Sequence, residues 1–144
     1  MMDELEKRIE ENFAAQGLMN TLGARISRIA PGEVQIVLDH RPELSQQHGY
    51  THAGALTSVL DSACGYAALT LAPPGMDVLS VEFKINFLRP AVAERFVATG
   101  RVIKAGRTLT VCAGDVVGEH PEGDRTIAVM QATIINVPGE THAN

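Results

Sequence analysis

The run Ala53-Gly54-Ala55-Leu56-Thr57-Ser58-Val59-Leu60-Asp61-Ser62-Ala63-Cys64-Gly65-Tyr66-Ala67-Ala68-Leu69-Thr70-Leu71, closed by Pro73-Pro74-Gly75, decides how this chain folds. Ala55, Leu56, Val59, Leu60, Ala63, Ala67 and Leu71 recur at the helical period, and the paired prolines cannot continue a helix. Its one charge is Asp61, so the segment predicts a long, largely buried helix. The chain beyond Gly75 reads as strands. Leu79, Val81, Phe83, Ile85 and Phe87 alternate with Ser80, Glu82, Lys84 and Asn86, the period of a strand with one covered face, and Arg89-Pro90 ends it. Phe96 to Lys104 and Thr108 to Gly118 are extended runs joined by Ala105-Gly106-Arg107, where the glycine is expected to supply a positive φ. Thr126 to Val137 gives the last strand.

Upstream of the helix, Leu5, Ile9, Phe13 and Ala14 near helical spacing predict a short amphipathic helix from Asp3 to about Gln16, with Gly17 as its stop. From Leu22 the pattern turns extended. Ala24, Ile26 and Arg28, then Val34, Ile36 and Leu38, flank the turn Pro31-Gly32 and read as a hairpin. One buried helix among strands cannot make a doubly wound parallel sheet, which needs a crossover helix after each strand. The pattern fits an α+β fold, an antiparallel sheet wrapped around one long central helix.

Composition narrows the function classes. A chain of 144 residues with 45% apolar content can bury one core, so a single domain is expected. Twelve Lys and Arg against seventeen Asp and Glu leave a net charge of −5, which disfavours nucleic-acid partners and anionic membranes. No run approaches the ~20 apolar residues of a membrane span. Cys64 and Cys112 lack metal-ligand spacing and read as reduced, buried thiols, which fits a cytoplasmic protein.

Just before the central helix stands Gln46-Gln47-His48-Gly49-Tyr50-Thr51-His52-Ala53-Gly54, an amide and two imidazoles on a turn relieved by glycine. On a helical wheel Gly54 and Ala68 lie about 20° from Asp61, Gly65 about 40° and Ser58 about 60°, while Leu56 and Leu60 are about 100° or more away. Asp61 therefore projects from a groove of small residues; the other reading is a solvated aspartate on the helix's open stripe. His48 and His52 fall short of a paired-histidine zinc signature, and no metal or other cofactor is expected. His52 has two readings, one structural and one in the site.

Distance constrains the chemistry. Asp61 lies eight residues beyond Ala53, about 12 Å along the helix axis, so one acyl carbon cannot touch both. If the helix N-terminus supplies an N–H to stabilise an oxyanion, the carboxylate must come from a second copy of the helix. The arrangement predicts a site shared across a homodimer, itself expected to assemble into a tetramer.

At these residues the sequence resembles the hot-dog-fold acyl-CoA thioesterases, specifically the phenylacetate-pathway (PaaI-like) group. Those enzymes carry a His-Gly-Gly motif with an acid nine residues after the histidine and an amide six before it; His52, Asp61 and Gln46 stand at those offsets. The block from Leu79 to Ala91 is similar to the family's serine-bearing strand with its closing Arg-Pro-Ala, and Ala105 to Leu109 to its Gly-Lys/Arg turn. The likeness spans most of Leu18 to Val137. It divides the chain into an N-terminal helix at 1–17, a thioesterase domain at 18–137 and a tail at 138–144 that is expected to fray.

The resemblance implies hydrolysis of an acyl-CoA to free acid and CoA. Asp61 would be the nucleophile or general base, and the Ala53 N–H would polarise the carbonyl. Gln46 would place the carbonyl or attacking water, His52 would support its loop, and Ser80 would assist beside Asp61. Ala53 replaces the family's usual first glycine, which keeps the N–H but adds a methyl. Gly54 would admit substrate. Arg89, Lys104 and Arg107, at strand ends or the turn, are candidates for the CoA phosphates. Two other readings share the fold: a hydratase or dehydratase acting on C2 and C3 of the acyl chain, and a non-catalytic acyl-CoA binder. Tyr50, Leu56, Leu60, Tyr66 and Phe87 are either pocket or core.

Overall fold

The structure, a computed structural model, describes residues 2–139. Its elements are α1 (Met2–Ala14), α2 (Gly17–Leu22), β1 (Arg25–Ala30), β2 (Glu33–Asp39), a 3-10 turn (Pro42–Leu44), α3 (Ala53–Thr70), β3 (Met76–Phe87), β4 (Arg95–Lys104), β5 (Leu109–Glu119) and β6 (Arg125–Pro138). One antiparallel six-stranded sheet, in the order β1-β2-β4-β5-β6-β3, packs one face on α3. This is the α+β hot-dog arrangement. Leu56, Val59, Leu60, Ala63 and Cys64 of the helix are fully buried against Val34, Ile36, Phe96, Cys112 and Ile134 of the sheet.

Contact between helix and sheet is closest at a pair of glycines. Gly100 of β4 and Gly114 of β5 face each other in the ladder. A Cβ on Gly100 would come within 2.5 Å of the Ala63 and Cys64 backbone, and one on Gly114 within 2.7 Å of Leu60. At its middle, the helix backbone rests directly on the sheet.

Several local expectations change. Gly17 does not simply stop a helix; it opens α2, a six-residue helix that ends at Gly23 in the left-handed conformation, φ 71°. Gly106 does not adopt a positive φ. Glycine is needed there because a Cβ would lie 2.3 Å from the Leu109 carbonyl oxygen. The tail, expected to fray from Pro138, is still in β6 at that residue, and the Gly139 N–H donates to Gly75 O. The rest of that expected tail, 140–144, lies outside the described residues.

Strand β3 differs most. Its alternation predicts one covered face, yet Leu79, Val81, Phe83 and Phe87 are exposed within the chain. It is an edge strand, paired only with β6. Its register also slips by one residue: Ser80 pairs with Ile134 and Glu82 with Thr133, leaving Val81 as a bulge. Ser80 thereby shares the helix side of the sheet with Phe83, Ile85 and Phe87, where strict alternation would have put it with Glu82 and Lys84.

Candidate active site

The loop ahead of α3 is held by its own polar groups. Gly49 turns at φ 82°. The Gln46 side-chain oxygen accepts from the N–H groups of His48 at 2.6 Å and Tyr50 at 3.2 Å, and the Gln46 N–H donates to Tyr50 O. Two backbone donors on one oxygen fix the amide's orientation, so its NH₂ is left to bond something else. Thr51 hydrogen-bonds His40 and donates its N–H to Ala91 O, which joins this loop to the segment after β3.

His52 is the N-cap of α3, a role normally taken by a small polar residue. Its Nδ1 accepts from the Gly54 N–H at 2.7 Å, which places the neutral ring's proton on Nε2. The cap occupies the Gly54 amide. The Ala53 N–H, first of the helix, has no acceptor among the described residues and is exposed. Gln46, Tyr50, His52, Ala53, Phe87 and Arg89 line a hollow of about 230 Å³.

Two turns along α3, Ser80 Oγ donates to Asp61 Oδ1 at 2.6 Å. Both line a different hollow, of about 340 Å³, with Ser62, Gly65, Tyr66 and Leu79. Asn12 and Gln16 also line it, a contribution from the N-terminal segment that periodicity could not reveal. Tyr66 OH accepts from Gln16 Nε2 and donates to Asn12 Oδ1, each at 2.7 Å, and burial raises its pKa. Within one chain the structure thus brings Asp61 to Ser80, and Gln46 to His52 and Ala53, but does not bring the two groups together.

Among the candidate cations, Arg89 lines the loop hollow, whereas Lys104 and Arg107 sit at the β4–β5 turn. That turn is braced by Asn136, whose amide donates to Gly106 O and Arg107 O. Leu56 and Leu60 are core, while Tyr50 and Phe87 are partly exposed and line the loop hollow. Cys64 and Cys112 are buried, and burial pushes the Cys112 thiol up to about 11. No cluster of three metal-ligating side chains occurs among the described residues, and no described helix is long and apolar enough to cross a membrane.

A long helix cradled by one antiparallel sheet is the hot-dog fold, and the chain's relatives place it among thioesterases. The family model described as thioesterase superfamily matches residues 48–125. A thioesterase family protein from Silicibacter pomeroyi is 45% identical, with a TM-score of 0.90 over 94% of this chain and 99% of that one. A Saccharolobus solfataricus protein named "Putative esterase" is 32% identical over 76% of this chain and 79% of its own length. The Escherichia coli PaaI protein from the phenylacetic acid degradation operon shares the fold, with a TM-score of 0.84 at 21% identity over 95% and 96% of the two chains. The chain belongs to the thioesterase superfamily and is a hydrolase of that class.

Proposed function

We propose that the protein hydrolyses acyl-CoA thioesters to the free acid and CoA, in sites shared between two copies of the chain. One observation carries this reading: the open Ala53 N–H and the Asp61–Ser80 pair line separate hollows of the same chain. Each hollow holds half of what acyl transfer needs. The exposed apolar length of β3, an unpaired sheet edge with Leu79, Val81, Phe83 and Phe87 in the open, supports a second copy at that edge. The dimer is expected to assemble further into a tetramer.

The thioester carbonyl oxygen accepts from the Ala53 N–H, at the positive end of the helix dipole. Gln46 donates its free NH₂ to the carbonyl or to the attacking water. Asp61 of the second copy, steadied by Ser80, either attacks the carbonyl carbon itself, giving an anhydride that water then hydrolyses to the free acid and Asp61, or takes a proton from the water that attacks that carbon. The C–S bond breaks, and CoA leaves as a thiolate that is then protonated. A thioester is reactive enough for one carboxylate and one or two fixed donors to suffice.

Asp61→Asn tests the assignment with one atom changed. Release of CoA thiol from a panel of aromatic and straight-chain acyl-CoAs should fall about 10²–10⁴-fold while the oligomer persists. Undiminished turnover by that variant would overturn the mechanism.

A further inference from the structure

Tyr50 stands at a fork. It lines the loop hollow beside Ala53, a second hollow of about 310 Å³ with Arg89, Pro90 and Arg125, and a third of about 460 Å³ with His40, Glu94 and Glu119. Arg89 and Pro90 line both of the first two, so the hollow at Arg125 lies directly beside the one at the Ala53 N–H. The two branches differ in charge. One carries two guanidinium groups and no carboxylate; the other carries two carboxylates and no Lys or Arg.

Most arginines here are already engaged. Arg25, Arg28, Arg95 and Arg101 meet carboxylates at 2.9, 2.8, 3.4 and 2.8 Å, and Arg8 and Arg41 donate to backbone carbonyls. Arg89 has no such partner among the described residues. Arg125 meets only Glu122, at 3.8 Å, whose side chain is 76% exposed. His120 fixes the two against each other: its ring nitrogens face Val92 O and Gly118 O, tying the segment after Arg89 to the β5–β6 connection that leads into Arg125.

We infer that Arg125 and Arg89 form the seat of a phosphoryl group on the nucleotide arm of CoA, carried by the same copy of the chain as Ala53. This rests on the acyl-CoA reading above. A phosphoryl group offers three acceptor oxygens, matched by two planar guanidinium donors, Arg89 with no carboxylate partner among the described residues and Arg125 with only the exposed Glu122 at 3.8 Å. Glu94 repels it from the other branch, where Glu119 is already paired with Arg95 and no lining cation is left free among the described residues, so the charge pattern favours the arginine branch for the arm.

Calorimetric titration with CoA itself, at low salt, into the wild type, Arg125→Ala and Arg125→Lys tests the seat without needing turnover. Loss of one exposed charge-assisted contact should weaken CoA binding about tenfold in Arg125→Ala, with Arg125→Lys between the two. The KM for benzoyl-CoA should rise by a similar factor, while that for S-benzoylpantetheine, which lacks the phosphates, stays put. Unchanged CoA affinity, absent CoA binding by the wild type, or equal losses on both thioesters would each overturn the seat. Arg125-dependent CoA binding by a wild type that cleaves no thioester would instead sink the hydrolase mechanism and leave the seat standing.

Discussion

Ser80 Oγ reaches Asp61 Oδ1 at 2.6 Å only because Val81 is an extra residue in its strand. In an unbroken ladder Ser80 would lie on the sheet face opposite Phe83, away from α3. The bulge reverses that parity and aims the hydroxyl at the carboxylate, a use of bulges common at sheet edges beside reactive groups. Ser80→Ala should therefore lower kcat by about tenfold, the scale of one lost hydrogen bond to a charged group, without moving the unfolding midpoint appreciably. A steady-state assay beside a urea titration reads both.

Ala53 allows an unusually clean deletion of a single donor. It is the first residue of α3, where proline is well tolerated, and His52 before it is extended at φ −61° and ψ 135°, as a residue preceding proline prefers. Ala53→Pro should keep the helix and the oligomer while kcat falls about 10²–10³-fold, the usual effect of removing one oxyanion donor. Unaltered kcat in a folded variant would rule out the N–H as the polarising group.

The proposed division of the site between copies predicts complementation. Mixing Asp61→Asn chains with Ala53→Pro chains under conditions of subunit exchange gives hybrids with one intact and one doubly defective site. A 1:1 mixture should recover about a quarter of wild-type activity, since about half of the dimers are hybrid and each has one working site of two. Two inactive parents that stay inactive after verified exchange would place the whole site within one chain.

Helix–sheet contact at Gly100 predicts a stability effect remote from chemistry. Gly100→Ala puts a methyl carbon 2.5 Å from helix backbone, which cannot yield as a flexible side chain would. The cost should be about 1–3 kcal/mol, read as a lower denaturant midpoint at unchanged slope.

Cys112 predicts a pH response in the alkaline range. Its folded pKa, raised by burial from 9.0 to about 11, exceeds the unfolded value, so the unfolded chain releases its proton first as pH rises. Its contribution is constant below about pH 9 and stability declines between there and about pH 11. Cys112→Ser or Cys112→Ala should make that part of the curve shallower, the slope that remains belonging to Cys64, whose thiol pKa burial also raises. In the native protein at pH 8 the thiol should resist a disulfide reagent that labels it readily after unfolding.

The long periodic elements were legible in the sequence because period alone decides them: α3 with its apolar repeat, and the alternating strands around it. The separation of Ala53 and Asp61 was legible too, since both lie on α3 and helical rise converts their spacing directly to distance. Helix α2 was not, because six residues are too few to establish a period and Gly17 is as good an opener as a stop. The bulge at Val81 left no break in the polar–apolar alternation. Its only trace was a conflict, between the alternation that grouped Ser80 with Glu82 and the family likeness that wanted Ser80 beside Asp61. Asn12 and Gln16 beside Tyr66, and Arg125 beside Arg89, are meetings of residues far apart in the chain. No local pattern encodes them.

The glycine pair under α3 also acts as a fulcrum. Ala63, where the helix backbone touches Gly100, lies two residues past Asp61 and ten past Ala53, so the open N–H sits at the end of a lever about 15 Å long. A tilt of about 5° about that point displaces the N–H by roughly 1.3 Å but Asp61 by only roughly 0.3 Å, and misplacement on the larger scale can cost about a hundredfold in rate. Seating backbone on backbone at Gly100, with no pliable side chain between, holds that pivot in place, so Asp61 is anchored more closely than the N–H of Ala53.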